Sequence, residues 1–277
     1  MDTITPATID QRGALAARYG AAVPEAGPWN AQIALLLSHR SVRGYRPDAL
    51  PAHTLETLVA AAQSAATSSN LQTWSVIAVT DPAKKAALAR LSNNQQHVEQ
   101  CPLFLVWLAD VARNQQLGDA AGVAMETMEW METFLVAAID AALAAQNATV
   151  AAESLGLSTV YIGALRNSPA EVGALLGLPP GCAGMFGLCV GYAAPGVTNA
   201  VKPRLPQAAI LSHDTYAAAA PELAAAYDAE MLAYSARQDM AAENWSDKVL
   251  ARMGRLRGLS GREKLSAVLR GMGFPLR

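Results

Sequence analysis

Between Arg113 and Arg166 the chain contains no lysine or arginine, and from Met128 to Ala152 alanine and larger apolar residues dominate. A segment of this composition points to a long central helix buried on most faces, either in the core or at a subunit interface. Its most apolar part, Phe134 to Ala152, is interrupted by Asp140, Gln146 and Asn147. These residues would be costly in hydrocarbon, so the stretch reads as a buried helix of a soluble protein and not as a membrane span.

The rest of the chain is then constrained to wrap such a helix. With 277 residues and 52% hydrophobic composition there is ample material for a sizeable core. The net charge of -2 and pI near 6.1 give no global field for nucleic acid. Locally the chain is basic from Lys248 to Arg277, where Arg252, Arg255, Arg257, Arg262, Lys264 and Arg270 face one acid, Glu263. Cys101, Cys182 and Cys189 form neither a CxxC pair nor a zinc-ligand spacing, so no metal site is expected and a reducing compartment fits best. Asp2 and Asp10 precede the first basic residue, unlike a signal peptide, and the expected location is cytoplasmic.

Residues 1–28 read as an N-terminal extension, with a short helix around Gln11 to Ala22 and then breaker-rich sequence, leading into one domain over 29–277. Helices are expected from Trp29 to Leu37, from a Thr54 cap to Ala66, and from Asp81-Pro82 to Leu91. Further helices are expected over Tyr216 to Arg237, Trp245 to Met253 and Arg262 to Arg270. Gln95, Gln96 and His97 fall in a connection. Strand signals lie at Trp74 to Thr80, Leu103 to Leu108, Leu157 to Ala164 and Gly184 to Gly191. Strands spread among long helices indicate a single α+β domain whose C-terminal arm reaches beyond it.

Chemistry is suggested by two cationic segments, His39-Arg40-Ser41-Val42-Arg43 and Lys202-Pro203-Arg204, in an otherwise charge-poor chain. Guanidinium groups bind phosphate oxygens through charge-assisted hydrogen bonds, each contributing roughly 1.5–3 kcal/mol. Cations far apart in the chain suggest one cradle closed by tertiary folding; the alternative is a solvated turn with ordinary surface arginines. GxSxG, HExxH, GxGxxG and Walker motifs are absent, and the four histidines have no triad spacing. Anion clamps and polar loops without a nucleophile imply a bound cofactor that brings its own chemistry, so no catalytic side chain is named.

Several strings occur in a fixed order: Ser38-His39-Arg40-Ser41-Val42-Arg43, the Ser-rich loop ending in Leu71-Gln72, Gln95-Gln96-His97-Val98, Gln146-Asn147, and Val160-Tyr161-Ile162-Gly163. Phe186-Gly187-Leu188-Cys189, Lys202-Pro203-Arg204-Leu205-Pro206 and Trp245-Ser246-Asp247 follow. Together they resemble the nitroreductase family, in particular the major oxygen-insensitive nitroreductases and the flavin reductase P group. The resemblance implies an α+β fold with a mixed sheet flanked by helices, in a homodimer that exchanges its C-terminal arms. It also implies an FMN cofactor with NADPH, or NADH, as reductant. By motif, His39, Arg40, Ser41 and Arg43 would line the flavin, with Arg40, Lys202 and Arg204 toward its phosphate and Arg43 at the ring edge where reduction places negative charge. Gln95 would bond the pyrimidine side, and the Tyr161-Ile162-Gly163-Ala164 turn would offer backbone N–H to the ring. Thr67, Ser68 and Ser69 would come from the other subunit. Each has a plainer reading: helix capping for the serines, packing for Tyr161, surface placement for Gln95.

The departures from the family pattern concern substrate. Asn70 stands where relatives often carry an aromatic residue over the pocket, and Ala164 replaces a second glycine. In the stretch from Tyr234 to Trp245, Arg237 is the only basic residue left to grip the 2′-phosphate of NADPH. Arg262 resembles a basic residue near the acceptor pocket. The implied activity is two-electron, ping-pong reduction of nitroaromatics, quinones or related small-molecule acceptors. Two alternatives stay open: a flavin reductase that supplies reduced FMN to a monooxygenase, and a non-catalytic flavin-binding redox sensor.

Overall fold

The computed structural model describes residues 10–197 and 199–277; the first nine residues of the expected extension lie outside that range. In chain order the helices begin with α1 (Gln11–Tyr19), α2 (Ala31–Ser38), α3 (Thr54–Gln63), α4 (Pro82–Leu91), α5 (Gln96–Gln100) and α6 (Ala112–Ala121). They continue with α7 (Met131–Ser154), α8 (Pro169–Leu176), α9 (Pro221–Arg237), α10 (Trp245–Met253) and α11 (Leu265–Gly271). The strands are β1 (Trp74–Val79), β2 (Leu103–Asp110), β3 (Ser158–Ile162) and β4 (Cys182–Gly191). The chain divides into two compact units, Met1–Arg40 with Thr198–Leu259, and Ser41–Val197 with Ser260–Arg277.

In the second unit the sheet has the order β1-β2-β4-β3 with every neighbour antiparallel. The parallel element among the described residues is the bridge between Ser41 and Thr159, where Val42 N–H donates to the Thr159 carbonyl at 3.0 Å. That bridge lays the Ser41-Val42-Arg43 backbone beside β3.

β2 is a continuous apolar run because both its faces are covered. Phe104, Val106 and Leu108 pack with Leu88 of α4, Val98 of α5 and Val172 of α8. Leu103, Leu105 and Trp107 pack with Leu58 and Ala62 of α3 and with Ala144, Ala145, Ala148 and Ala152 of α7. The alanines let α7 lie close to the sheet, and burying each large apolar side chain opposite them stabilises the fold by ~1.5–3 kcal/mol. Gly187 in β4 is required by the same packing, since a Cβ there would run into the Phe104 ring. The carboxy-terminal residue is fastened to this unit: Arg277 N–H donates to the Glu129 carbonyl and its side chain pairs with the Glu129 carboxylate.

Within its unit α7 leaves Leu135, Ile139 and Leu143, spaced by one helical turn, 45%, 57% and 43% exposed, so the core alone does not cover it. It is long and apolar enough to cross a membrane by composition, yet Ala137, Asp140, Ala141, Ala144, Ala145, Ala148 and Ala152 are buried within the unit. Thr54 does not cap α3: it is the first helical residue, its hydroxyl bonded to the Pro51 carbonyl, and His53 occupies the cap position in a left-handed conformation. The connection at Gln95 contains a helix, α5, with Gln95 at its cap position.

In the first unit, Tyr227, Met231 and Tyr234 recur along one face of α9 and pack with Leu205 and Trp245. The Asp228 carboxylate accepts N–H bonds from Trp245 and Ser246 at 2.9 and 2.8 Å, which fixes the start of α10 against α9. α9 begins at Pro221, five residues later than the sequence suggests, because Pro at the first helical position sets its start.

Candidate functional site

In the first unit the two cationic segments are joined through a residue that the sequence reading passed over. Arg18, in the last turn of α1, is 7% exposed. Its guanidinium donates to the Leu37 carbonyl at 2.6 Å and to the His39 carbonyl at 2.9 Å, and on the other side to the Lys202 carbonyl at 2.8 Å. The Arg204 N–H closes the arrangement on the Arg18 carbonyl at 2.8 Å. Arg40 itself is exposed, and its guanidinium reaches the Asn199 carbonyl at 3.4 Å. Lys202 lies with its ammonium 5.6 Å from the Tyr234 ring centroid. Arg204 is exposed, bonds the carbonyls of Lys202 and Pro203 at 3.3 Å, and also lines a cleft of about 570 Å³ with Tyr19, Tyr227 and Trp245. Folding thus draws residues 37–40 and 199–204 together.

In the second unit, Ser41 is held by the Thr159 bridge and Arg43 is exposed beyond it. Arg43 acts electrostatically on His97, one turn into the polar segment that starts at Gln95. Burial first, and the Arg43 charge second, hold the His97 imidazole below its ordinary pKa, so it is kept neutral. Its Nε2 is buried and has no hydrogen-bond partner among the described residues. Gln95 is half-buried at the start of α5 and makes no side-chain cap bond.

The Tyr161-Ile162-Gly163-Ala164 segment is the end of β3 running into a single 3-10 turn, Gly163–Asn167. Tyr161 packs edge-on against Phe186 at 5.4 Å, and its hydroxyl bonds Thr149 at 2.9 Å and Gln146 at 3.4 Å on α7. Burial pushes its phenol up to about 12, so it stays protonated. Its side chain is a packing element. Ile162 and Ala164 are buried. Gly163 is different, because a Cβ there would meet only the Arg166 guanidinium at 3.5 Å, an ordinary contact. No clash among the described residues demands glycine at that point. Arg262 reaches the far end of the same turn, its Nε donating to Asn167 Oδ1 at 2.8 Å.

The Ser-rich loop is organised by Asp140, the acid that interrupts α7. The Asp140 carboxylate, 2% exposed, accepts from the Thr67 hydroxyl at 2.6 Å, Ser68 N–H at 3.2 Å, and both the N–H and hydroxyl of Thr73 at 3.2 and 3.0 Å. Thr67 is further used as acceptor by Gln72 N–H at 3.0 Å. Ser68, Ser69 and Asn70 are exposed, and Ser69, Asn70 and Gln72 have φ of 46°, 56° and 52°. Non-glycine residues in that region are strained, and such strain persists only where the surroundings impose it.

Arg237 is exposed in the final turn of α9, before the connection to α10 rather than within it. Asp140, Arg18 and His97 are the site-shaping residues that motif reading assigned no role. A lone acid in an apolar helix was the available signal for Asp140, whereas nothing local distinguishes Arg18 from a surface arginine.

Residues 36–192 match the model of the nitroreductase family, and residues 202–277 match the nitroreductase family C-terminal domain. The chain is 44% identical over 188 residues to the FMN reductase (NADPH) of Bacillus subtilis, covering 68% of this chain and 75% of that protein. It is 36% identical over 219 residues to the oxygen-insensitive NADPH nitroreductase of Salmonella typhimurium, covering 78% and 88%. The structure of NfrA2 from B. megaterium superposes with a TM-score of 0.84 at 37% identity, covering 90% of this chain and all 100% of that one. With the family model spanning more than half of its length, this chain belongs to the nitroreductase family.

Proposed function

We propose that the protein is an FMN-dependent NAD(P)H oxidoreductase that reduces small-molecule acceptors such as nitroaromatics and quinones two electrons at a time. The observation that carries the reading is the joining of the two cation-bearing segments, residues 37–40 and 202–204, by hydrogen bonds to Arg18. On the other unit, the exposed Arg43 cation and the unpartnered His97 Nε2 are group types that suit the edge of a redox ring that gains negative charge on reduction. Gly163, which no clash among the described residues demands, supports close approach of a flat ligand to the end of β3. The backbone segments that carry Arg40, Lys202 and Arg204, joined through Arg18, suit a phosphate. These residues therefore fit the cofactor.

FMN, when bound, supplies the hydride-accepting and hydride-donating centre. In this reading Arg40, Lys202 and Arg204 neutralise its phosphate, and His39 and Ser41 line it. Arg43 stabilises negative charge at the ring edge, and Gln95 offers its amide to the pyrimidine side. Backbone N–H groups of the 161–164 turn face the ring, and Thr67, Ser68 and Ser69 act through a partner subunit. Asn70, Arg237 and Arg262 act on substrates: Arg237 on the 2′-phosphate of NADPH, Arg262 and Asn70 on the acceptor. The protein works as a cytoplasmic homodimer through the exposed stripe of α7, with 1–28 as an addition to the 29–277 catalytic domain.

Purified protein should be yellow with close to one FMN per chain, and Arg43→Gln should slow its reduction by NADPH by about tenfold or more. A colourless protein that takes up no added FMN would refute the reading. The name of the B. subtilis relative favours a second outcome, release of reduced FMN to another enzyme. Turnover of added free FMN far above that of nitro compounds would select it. Bound FMN with no turnover by either nicotinamide would select a redox sensor.

A further inference from the structure

We infer that Arg18 is a positioning residue for the cofactor phosphate, and that helix α1 is a cofactor-affinity element added to the family fold. The inference rests on the assignment of Arg40, Lys202 and Arg204 to that phosphate.

The argument begins with where α1 lies. Gln11–Tyr19 falls outside both stretches that match the family, 36–192 and 202–277. It is nevertheless built into its unit. Asp10 caps it through Gly13 N–H at 3.0 Å, and Ala21 N–H beyond its end donates to Glu230 on α9 at 2.9 Å. At Gly20, just past its end, a Cβ would run into the Glu230 carboxylate, so the Glu230 side chain of α9 lies directly against the residues that follow α1.

Within that seating, Arg18 spends its planar donor fork on main-chain carbonyls from two distant segments, residues 37–39 and residue 202. A guanidinium offers several donors in fixed directions, so it sets the distance and orientation between the segments it bridges. Each of those segments is next to a cation assigned to the phosphate: Arg40 follows His39 directly, and Arg204 follows Lys202 by two residues and is bonded by its own N–H to the Arg18 carbonyl. Arg18 therefore fixes the backbone from which Arg40, Lys202 and Arg204 project. It does not itself have to meet the phosphate. Without it, three buried-side carbonyls lose their donor and the cations lose their common anchor, so phosphate contacts must be assembled at the moment of binding.

The test compares FMN with riboflavin, which has the same ring and no phosphate. Dissociation constants for both would be measured on the full-length, flavin-stripped chain by quenching of flavin fluorescence, for wild type, Arg18→Met, Arg18→Lys and Arg40→Ala. Arg18→Met keeps volume and removes every donor. It should reduce the preference for FMN over riboflavin about tenfold while leaving riboflavin binding unchanged, as Arg40→Ala should. Arg18→Lys, with one ammonium for three carbonyls, should fall between, and it carries the comparison if Arg18→Met does not accumulate. An unchanged preference in the Arg18 variants beside a reduced one in Arg40→Ala would overturn the role of Arg18 alone. Equal loss of both ligands would make Arg18 a general stabiliser and also overturn it. An unchanged preference in Arg40→Ala as well would remove the phosphate assignment and the inference with it.

Discussion

The Thr67 hydroxyl donates to the buried Asp140 carboxylate at 2.6 Å, tying the polar loop ahead of β1 to the apolar helix α7. Two more residues of the loop, Ser68 and Thr73, bind the same carboxylate, while Arg113 holds the carbonyls of Gln72 and Trp74 at 2.7 and 3.1 Å. The left-handed residues Ser69, Asn70 and Gln72 are thus held from both ends. Exposure of Ser68, Ser69 and Asn70 is the product of that restraint.

Asp140→Ala should cost about 3 kcal/mol of stability, because it leaves several buried donors without an acceptor. Urea unfolding measures the loss directly. Hydrogen exchange should show the 67–73 loop opening well before the sheet, since its strained residues relax once released. A loss under about 1 kcal/mol would mean water replaces the carboxylate and the restraint is weak.

The exposed stripe on α7 makes a separate prediction. Leu135, Ile139 and Leu143 form an exposed apolar row on a helix whose opposite side, through Ala137, Ala141, Ala144 and Ala148, is buried in its own unit, and such rows are covered in stable assemblies. Ile139→Glu should shift the protein toward monomer in sedimentation velocity, with the monomer still folded by circular dichroism. Wild type sedimenting as a monomer at micromolar concentration would show that the stripe has another use.

For the reductant, Arg237→Ala should raise KM for NADPH about tenfold and leave kcat nearly unchanged. The contact lies with the 2′-phosphate and binds ground and transition states alike. Because Arg237 is exposed, the difference should shrink as salt is added. Equal use of NADH and NADPH by wild type would place the phosphate grip elsewhere.

His97 links stability to pH. Its pKa in the folded chain lies below the ordinary 6.5 through burial and the Arg43 charge. The unfolded chain therefore binds the proton more readily. Its contribution is fully present above about pH 6.5 and is lost as the pH falls through that value toward the lower folded pKa. Melting temperature should drop between pH 7 and pH 5, and His97→Gln should flatten that segment of the profile. An unaltered slope in the variant would assign the dependence to other groups.

The backbone plan could be read from residue order alone. A continuous apolar run with no charge until Asp110 reads as a fully buried strand, and the cation-free alanine-rich stretch reads as a long helix buried in the core or at a subunit interface. Asp81-Pro82 announced the start of α4 because capping and fixed φ are local effects. Short elements were less visible: α5 and α8 have too few turns for a period to emerge, and Thr54 carried a capping residue type into a position one residue inside its helix.

What only tertiary structure decided is which groups meet. The bond from Arg18 to the Lys202 carbonyl spans 184 residues, and neither segment carries a pattern that names the other. Composition marks Asp140 as out of place in α7, but its role depends on where β1 and the Thr67–Thr73 loop come to lie. Periodicity likewise shows that α7 is apolar all round without showing which side the sheet takes. Side-chain type and spacing act over a few residues, whereas burial, hydrogen-bond partners and the perturbation of His97 are set by neighbours that arrive only when the chain closes on itself.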